Sequence, residues 1–330
     1  MRNLGFLVVL VIFILFFKDV KADHCMGADI SYKCIDTNTG KYRITLSLYQ
    51  DCAGILYSAE QLQIRKQSGS SSVSLNLIKK EEVTPICLPP DVPVKPYTNC
   101  PGPNTAVGSN GIKGVMRWVF QTDYVCGKNQ GWVIVAWTSC CRNTPISTGA
   151  SWQPIWVQAA INTNASYFNN STLFTTPPIP YWCSMRKNTY NHGPVDSFDQ
   201  RFVTIDNKLV VKDSIAFEII CPFINEASSI SQMALLNNPC VNFNSPLNKY
   251  NFLYTTNGVQ IDPITGTISC IPSRTQDAVM AMAIKEYRAI PNPSGGGYTR
   301  TMVGYVCRDI QFTVRDPCED ILTPGVVADS

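Results

Sequence analysis

The residues of this chain best suited to chemistry are its fourteen cysteines, all of which lie beyond residue 22. They stand at Cys25, Cys34, Cys52, Cys87, Cys100, Cys126, Cys140, Cys141, Cys183, Cys221, Cys240, Cys270, Cys307 and Cys318. Sulfur at this density can attack a substrate, hold a metal or pair with itself. A nucleophilic thiol needs a base held by a third group. The chain offers two histidines: His24, near the start of the mature chain, and His192, in a turn reading Tyr190-Asn191-His192-Gly193-Pro194. A solvated turn residue is the expectation for His192. Zinc sites use repeated, short-spaced ligand pairs, and no Cys-x-x-Cys spacing occurs. Adjacent Cys140-Cys141 is the sharpest local feature. Neighbouring Arg142 would favour a thiolate there, but twelve other cysteines favour a structural role in which each sulfur bridges a different strand. The expectation is seven structural bridges, each worth about 2–4 kcal/mol, with no metal and no cofactor.

Other reactive groups are sparse. A carboxylate pair across a cleft suits glycoside hydrolysis. Glu81-Glu82 follow Lys79-Lys80 and read as a solvated charged turn, whereas Glu218 and Glu286 fall on candidate strands. No Gly-x-Ser-x-Gly elbow is present, so a hydrolase ranks last and a non-enzymatic protein is expected. The six tryptophans are Trp118, Trp132, Trp137, Trp152, Trp156 and Trp182. An indole, flat and apolar with a polar edge, suits stacking on a sugar ring. Trp132 and Trp137 belong to an apolar ribbon. Trp152 and Trp156, flanking Pro154, are the candidates for glycan contact, and a carbohydrate-binding module is the alternative function.

The start of the chain sets the compartment. Residues 1–22 read as a cleavable secretory signal, with Arg2, an apolar stretch from Leu4 to Phe17 and a Val20-Lys21-Ala22 cleavage site. Those fourteen apolar residues fall short of the roughly 18–20 that span a bilayer. Asp23-His24 before Cys25 lacks the small residues of a lipoprotein signal. Exported thiols meet an oxidising environment, where an even count reads as bridges. A secreted or cell-surface protein with no membrane span after cleavage is expected. Arg2, Lys18 and Lys21 against Asp19 supply +2 of the +3 net charge, leaving the mature chain near +1. No basic stripe remains, so nucleic acid is excluded as a partner. The expected partners are other surface or matrix components and glycans.

The elements that must position these groups are strands. Apolar residues take every second place in residues 41–48 and 72–77, the period of a half-buried strand. Trp132-Val133-Ile134-Val135-Ala136-Trp137 suits a strand buried on both faces. Further candidates are 114–121, 155–161, 201–211, 214–220 and 309–314, and residues 278–285 also read as a strand despite their helical composition. Asp36-Thr37-Asn38-Thr39-Gly40 and Asp262-Pro263-Ile264-Thr265-Gly266 read as hairpin turns, closed by an Asp side chain and a left-handed glycine. Placing Ile30, Tyr32 and Cys34 on the face of Ile44, Leu46 and Leu48 sets Cys34 opposite Ile44. Cys52 then lies eight positions away, roughly 26 Å, beyond the ~7 Å that a disulfide spans. Cys34 and Cys52 therefore each need a partner on a later strand. A proline cluster at 177–180 marks a boundary, and residues 291–297 read as a flexible connection between strands.

At these motifs the chain resembles a family. Tyr32-Lys33-Cys34, Tyr42-Arg43-Ile44-Thr45-Leu46 and Tyr49-Gln50-Asp51-Cys52-Ala53-Gly54 are similar to the amino-terminal module of large secreted surface proteins of the Bacteroidota, with Gln50 where the family has Arg. Ser139-Cys140-Cys141-Arg142-Asn143 is similar to its Cys-Cys-Arg-Asn signature. Residues 259–268, 285–288 and 308–314 resemble its following cadherin- or immunoglobulin-like domain. The resemblance implies an adhesin-like or matrix-like protein exported by the type IX route, with a gliding-motility-associated sorting domain in longer members. Ending without such a domain, this chain is expected to be a fragment or a short relative. The family's acidic, calcium-competent turn is reduced here to Asp213-Ser214-Ile215, with Leu209 and Val211 at the preceding acidic positions, so no metal is expected. Asn164-Ala165-Ser166 and Asn170-Ser171-Thr172 match glycosylation acceptors, a coincidence in a chain of the bacterial kind the resemblance implies.

The fold expected is all-β: two tandem β-sandwich domains of immunoglobulin or cadherin type, stapled by disulfides. Residues 23–176 form the first and 177–315 the second, with 316–330 as a tail. The function expected is structural or adhesive.

Overall fold

The computed structural model describes residues 24–316 except 55, 85–99, 101–113, 144–145, 165–167, 197–201, 206, 212 and 293–294. The signal segment, the tail beyond 316, Cys87 and Cys318 lie outside the described residues. The chain is all-β. Its strands are β1 Cys25–Asp36, β2 Lys41–Asp51, β3 Gln61–Lys66, β4 Gly69–Ser74, β5 Asn76–Glu82, β6 Val115–Val125, β7 Trp132–Ser139, β8 Ile155–Asn162, β9 Leu173–Phe174, β10 Tyr181–Cys183, β11 Asn188–Tyr190, β12 Pro194–Val195, β13 Phe202–Ile205, β14 Lys208–Val211, β15 Asp213–Ile220, β16 Gln260–Ile261, β17 Ile268–Cys270, β18 Gln276–Pro291 and β19 Tyr298–Arg315. Among the described residues there is one short helix, α1, Ile230–Ala234.

Twelve strands share one sheet in the order β4-β3-β7-β8-β19-β1-β2-β6-β5, with β10 and β18 also on β19 and β15 beyond β18. Its two end strands are consecutive in sequence. Ser74 closes β4, Asn76 opens β5, and Leu75 between them donates its N–H to the Glu60 carbonyl. All pairings along the path are antiparallel, so β4 and β5 point the same way. They behave as one bent strand passing from β3 to β6, and the sheet curls into a near-barrel. Bends of this kind are how sheets turn corners.

The turns form as their residues dictate. Asp36 accepts the Asn38 N–H at 2.8 Å and Asp262 accepts the Ile264 N–H at 2.8 Å. Gly40 and Gly266 take φ +66° and +69°, a region in which side chains are disfavoured. The first hairpin is tighter than the sequence reading placed it. Asp36 pairs with Lys41, Cys34 faces Tyr42, and Ile44 faces Tyr32. The offset is two residues, so every side chain keeps its face. Residues 278–285 lie within β18, as expected of a strand. Glu81-Glu82 correct the turn reading: they lie on β5, where a register shift between Leu77 and Lys79 lets Lys80 sit 4.3 Å over the Trp118 ring.

β19 joins the two halves of the chain. One edge pairs with β18 along nearly its whole length, and the other takes β8 at Gly304–Val306, β1 at Arg308–Ile310 and β10 at Thr313–Arg315. Alternation then splits the side chains of the β18–β19 hairpin between two cores. Ala281, Ala283, Tyr305 and Cys307 enter the barrel interior with Ile30, Leu46, Phe120 and Trp137. Met280, Met282, Ile310 and Phe312 enter a second core with Trp182, Tyr190, Phe252 and Leu253. Residues on both sides of the 177–180 proline cluster thus share one sheet.

Candidate functional site

The sulfurs come first, because the sequence expectation rests on them. Cys52 is bonded to Cys100, with Cα atoms 4.8 Å apart and a sequence separation of 48. Cys221 is bonded to Cys240 at 5.7 Å, closing the irregular chain after β15. Cys34 and Cys52 do not bond to each other, in agreement with the separation argument. Cys140 and Cys141 depart from expectation, since the adjacent sulfurs bond to each other rather than to separate strands. Cys183 is also disulfide-bonded. Cys25, Cys126, Cys270 and Cys307 are thiols in this structure, so the bridge framework is smaller among the described residues than seven pairs imply. Burial dominates their chemistry: it pushes the Cys25, Cys126 and Cys270 thiols up to about 12 and holds Cys307 well above the usual thiol range. A thiol held neutral this way is a poor nucleophile and a poor metal ligand. Cys34 packs against the barrel core. Among the described residues no group of three or more His, Cys, Asp or Glu is placed to hold a metal ion, and no helix is long and apolar enough to cross a membrane.

His192 reverses its sequence reading. It is fully buried, not solvated, because the turn carrying it folds under the aromatic walls of Tyr190 and Phe174, ring centroids 5.1 and 6.3 Å away. Burial, with Arg308 assisting, holds its pKa well below the usual histidine range. The two strand carboxylates do not form a pair. Glu218 faces Ala283, three positions from Glu286 on β18, so the period of two sends the side chains to opposite faces. Glu218 is ion-paired with Lys285 at the surface. Asp213 is held by Arg288: Nε donates to Oδ1 at 2.6 Å and Nη2 to Oδ2 at 2.9 Å.

Glu286 is the centre of a buried clasp. The N–H and Oγ1 of Thr172 both donate to its Oε1, and Asn169 Nδ2 donates to Oε2. Arg288 Nη2 reaches Asn169 Oδ1 at 3.3 Å, and the Tyr32 hydroxyl lies 3.5 Å from Oε2. The same loop is laced to β1, where Ser171 Oγ accepts the Tyr32 N–H and Asn170 Oδ1 accepts the Cys34 N–H, both at 2.8 Å. Burial foremost, and the nearby Asp196 charge next, push the Glu286 carboxyl up to about 8. Two further pairs cross the sheet in the interior. Arg142 donates to both oxygens of Asp309, at 2.5 and 2.8 Å, and to the Phe223 carbonyl. Arg308 lies 3.2 Å from Asp29, yet burial outweighs it and keeps the Asp29 carboxyl above the usual carboxylate range. Breaking one partner of such a pair leaves an uncompensated charge, at about 3–5 kcal/mol. Sequence reading passed over these pairs; its available signal was Arg308-Asp309 set within an otherwise apolar strand.

The tryptophans divide sharply. Trp118, Trp137 and Trp156 are buried, each donating its indole N–H to Gln50, Glu60 or Gln158. Trp182 is buried against Phe312, with ring centroids 4.7 Å apart, and Trp132 is half-buried. Trp156, a candidate for glycan contact, is 3% exposed because β8 directs it inward beside Phe223. Trp152 is 54% exposed. The two candidate rings therefore do not form a joint platform.

The arrangement is chemically suited to rigidity: sulfur bridges, buried Arg–carboxylate pairs and a clasped loop all fix strands to one another. No protein-family model matches this chain, and no curated protein matches it.

Proposed function

We propose that this chain is a non-enzymatic structural or adhesive protein, secreted or held at the cell surface, of the kind found in the large surface proteins of the Bacteroidota whose motifs it resembles. The observation that carries this reading is the set of disulfides within an all-β body. Bridges such as Cys52–Cys100 and Cys221–Cys240 persist where the surroundings are oxidising, and cytosolic reductants remove them. The cadherin- or immunoglobulin-like motifs belong to β16–β19, the part of the chain that ties the second core to the barrel. A rigid body of this kind can space or present binding surfaces to other surface or matrix components.

The test is made on the native host's cells. Antibody labelling of intact cells, with alkylation of the purified chain before and after reduction, should find the protein outside and at least seven cysteines protected until reduction. Protein confined to the cytoplasm with every thiol reactive would sink the reading, as would turnover of polysaccharides or peptides by the purified chain.

A further inference from the structure

Trp152 presents a large aromatic ring to solvent, 54% exposed, from an irregular loop fixed from both sides. Its backbone is left-handed, φ +61°, a conformation that bulky residues rarely adopt and that persists only where its surroundings impose it. The surroundings do impose it. Ile146 and Ala150 anchor the loop in a small core with Val241 and Val279. Ser147 donates its N–H to the Asp277 carbonyl at 2.7 Å, and Ile146 donates its N–H to Ser151 Oγ at 2.8 Å. Gln153 donates its N–H to the Ala150 carbonyl and its side-chain amide to the Gly149 carbonyl, while its own carbonyl accepts from Arg142. Gly149 has no room for a side chain: a Cβ there would lie 2.3 Å from the Asn242 carbonyl oxygen.

The loop and the segment that runs beside it carry no charged side chain. Residues 146–155 and 241–247 contain no Asp, Glu, Lys or Arg. Asn242 and Asn244, both exposed, run beside Gly149. One indole face is too small for a protein interface, which takes about 800 Å² per partner. It matches the size and character of a single sugar ring, with apolar C–H groups on one face and hydroxyls at the edge. A ring held rigidly before binding also avoids the entropy of ordering it.

We propose that the loop 146–153 is a glycan contact in which Trp152 stacks on a neutral pyranose, with the Asn242–Asn244 edge available to its hydroxyls. The proposal rests on the surface-protein reading for its choice of ligand, and intact-cell labelling tests that reading separately. The experiment places the full exported chain, with Trp152→Gly and Trp152→Tyr variants, on a microarray of neutral and acidic oligosaccharides. Wild type should retain neutral sugars, W152Y should keep part of the signal, and W152G should lose about tenfold or more. W152G should melt at or above the wild-type temperature, because glycine accepts a positive φ without strain. That separates loss of the ring from loss of the fold. Undiminished binding by W152G, binding only to acidic sugars, no binding by wild type, or a lower melting temperature for W152G would each overturn the proposal.

Discussion

The two faces of the β18–β19 hairpin meet different opponents, and their side chains differ accordingly. On the barrel face the opposing walls are long paired strands that bring their own bulk in Leu46, Phe120 and Trp137, and the hairpin supplies Ala281 and Ala283. With them Tyr305 donates its hydroxyl to the Met233 carbonyl at 2.7 Å and accepts from Gln158 Nε2 at 2.7 Å. On the other face the opponent is irregular chain around Phe252 and Leu253, and the hairpin fills the space with Met280, Met282 and Phe312. Methionine adapts to uneven gaps where a stiffer side chain would leave a void. Regular walls can thus be packed with small residues and fixed hydrogen bonds, whereas irregular walls need large, adaptable ones.

The sharpest way to break this comparison is to hollow each core in turn. Phe120→Ala and Phe312→Ala should each cost about 3–5 kcal/mol, since both rings are fully buried. Because β19 carries both cores on one backbone, each variant should shift the same single unfolding transition, read by circular dichroism and by tryptophan fluorescence in urea. Two transitions, each moved by only one variant, would show that the cores unfold independently.

Next in size is the staple of the irregular chain after β15, whose Phe223, Met233 and Leu236 pack into the barrel core. Cys221 and Cys240 are 19 residues apart, and a loop of about that length gains roughly 3 kcal/mol from closure. Cys221→Ser with Cys240→Ser should lower the urea midpoint by that amount. The same pair of changes in reducing buffer should have little further effect. An equal loss in both buffers would mean that the sulfurs act through packing and not through their bond.

Titration gives a smaller effect. The Glu286 carboxyl is pushed up from 4.5 to about 8, so between those values the unfolded chain releases a proton that the folded chain keeps. Stability should fall as pH rises through that window and level off above 8. His192 pulls the other way: its pKa is depressed from 6.5, so stability is lost as pH drops below 6.5. The clean window is therefore pH 6.5 to 8, where wild type should lose roughly 1–2 kcal/mol and Glu286→Gln should stay flat. A sloping E286Q profile would place the titration elsewhere.

The contrast between faces also explains what the sequence reveals. Strands such as β2 announce themselves because one face is apolar at every second residue, and the hairpin turns because Asp and Gly sit at fixed offsets. The barrel closure is hidden, since Leu75 looks like any strand residue and the bend depends on what β3 and β6 offer on either side. His192 and Trp156 were misplaced for one reason: burial by a distant element leaves no trace in the neighbouring residues. Trp152 was legible as an exposed ring because Pro154 and the polar residues around it mark a loop. The Glu286 clasp draws on residues more than a hundred positions apart, a separation that periodicity cannot bridge.

The smallest effect sharpens the comparison by control. Arg43 lies 2.9 Å from Asp123 across the β2–β6 pair, with about half of its side chain exposed. Its geometry resembles that of Arg288 on Asp213, whose side chains are 3% and 7% exposed. Solvent screens the first pair and not the second, so geometry alone should not set their worth. Arg43→Ala should cost little, and that cost should shrink in high salt. Arg288→Ala should cost several times more and be insensitive to salt, because Asp213 would be left buried without its counter-charge. Comparable losses from the two substitutions in chemical denaturation would mean that the interior around Asp213 admits water. The clasp at Asn169 and Glu286, which Arg288 also touches, would then be a wet site and not a sealed one.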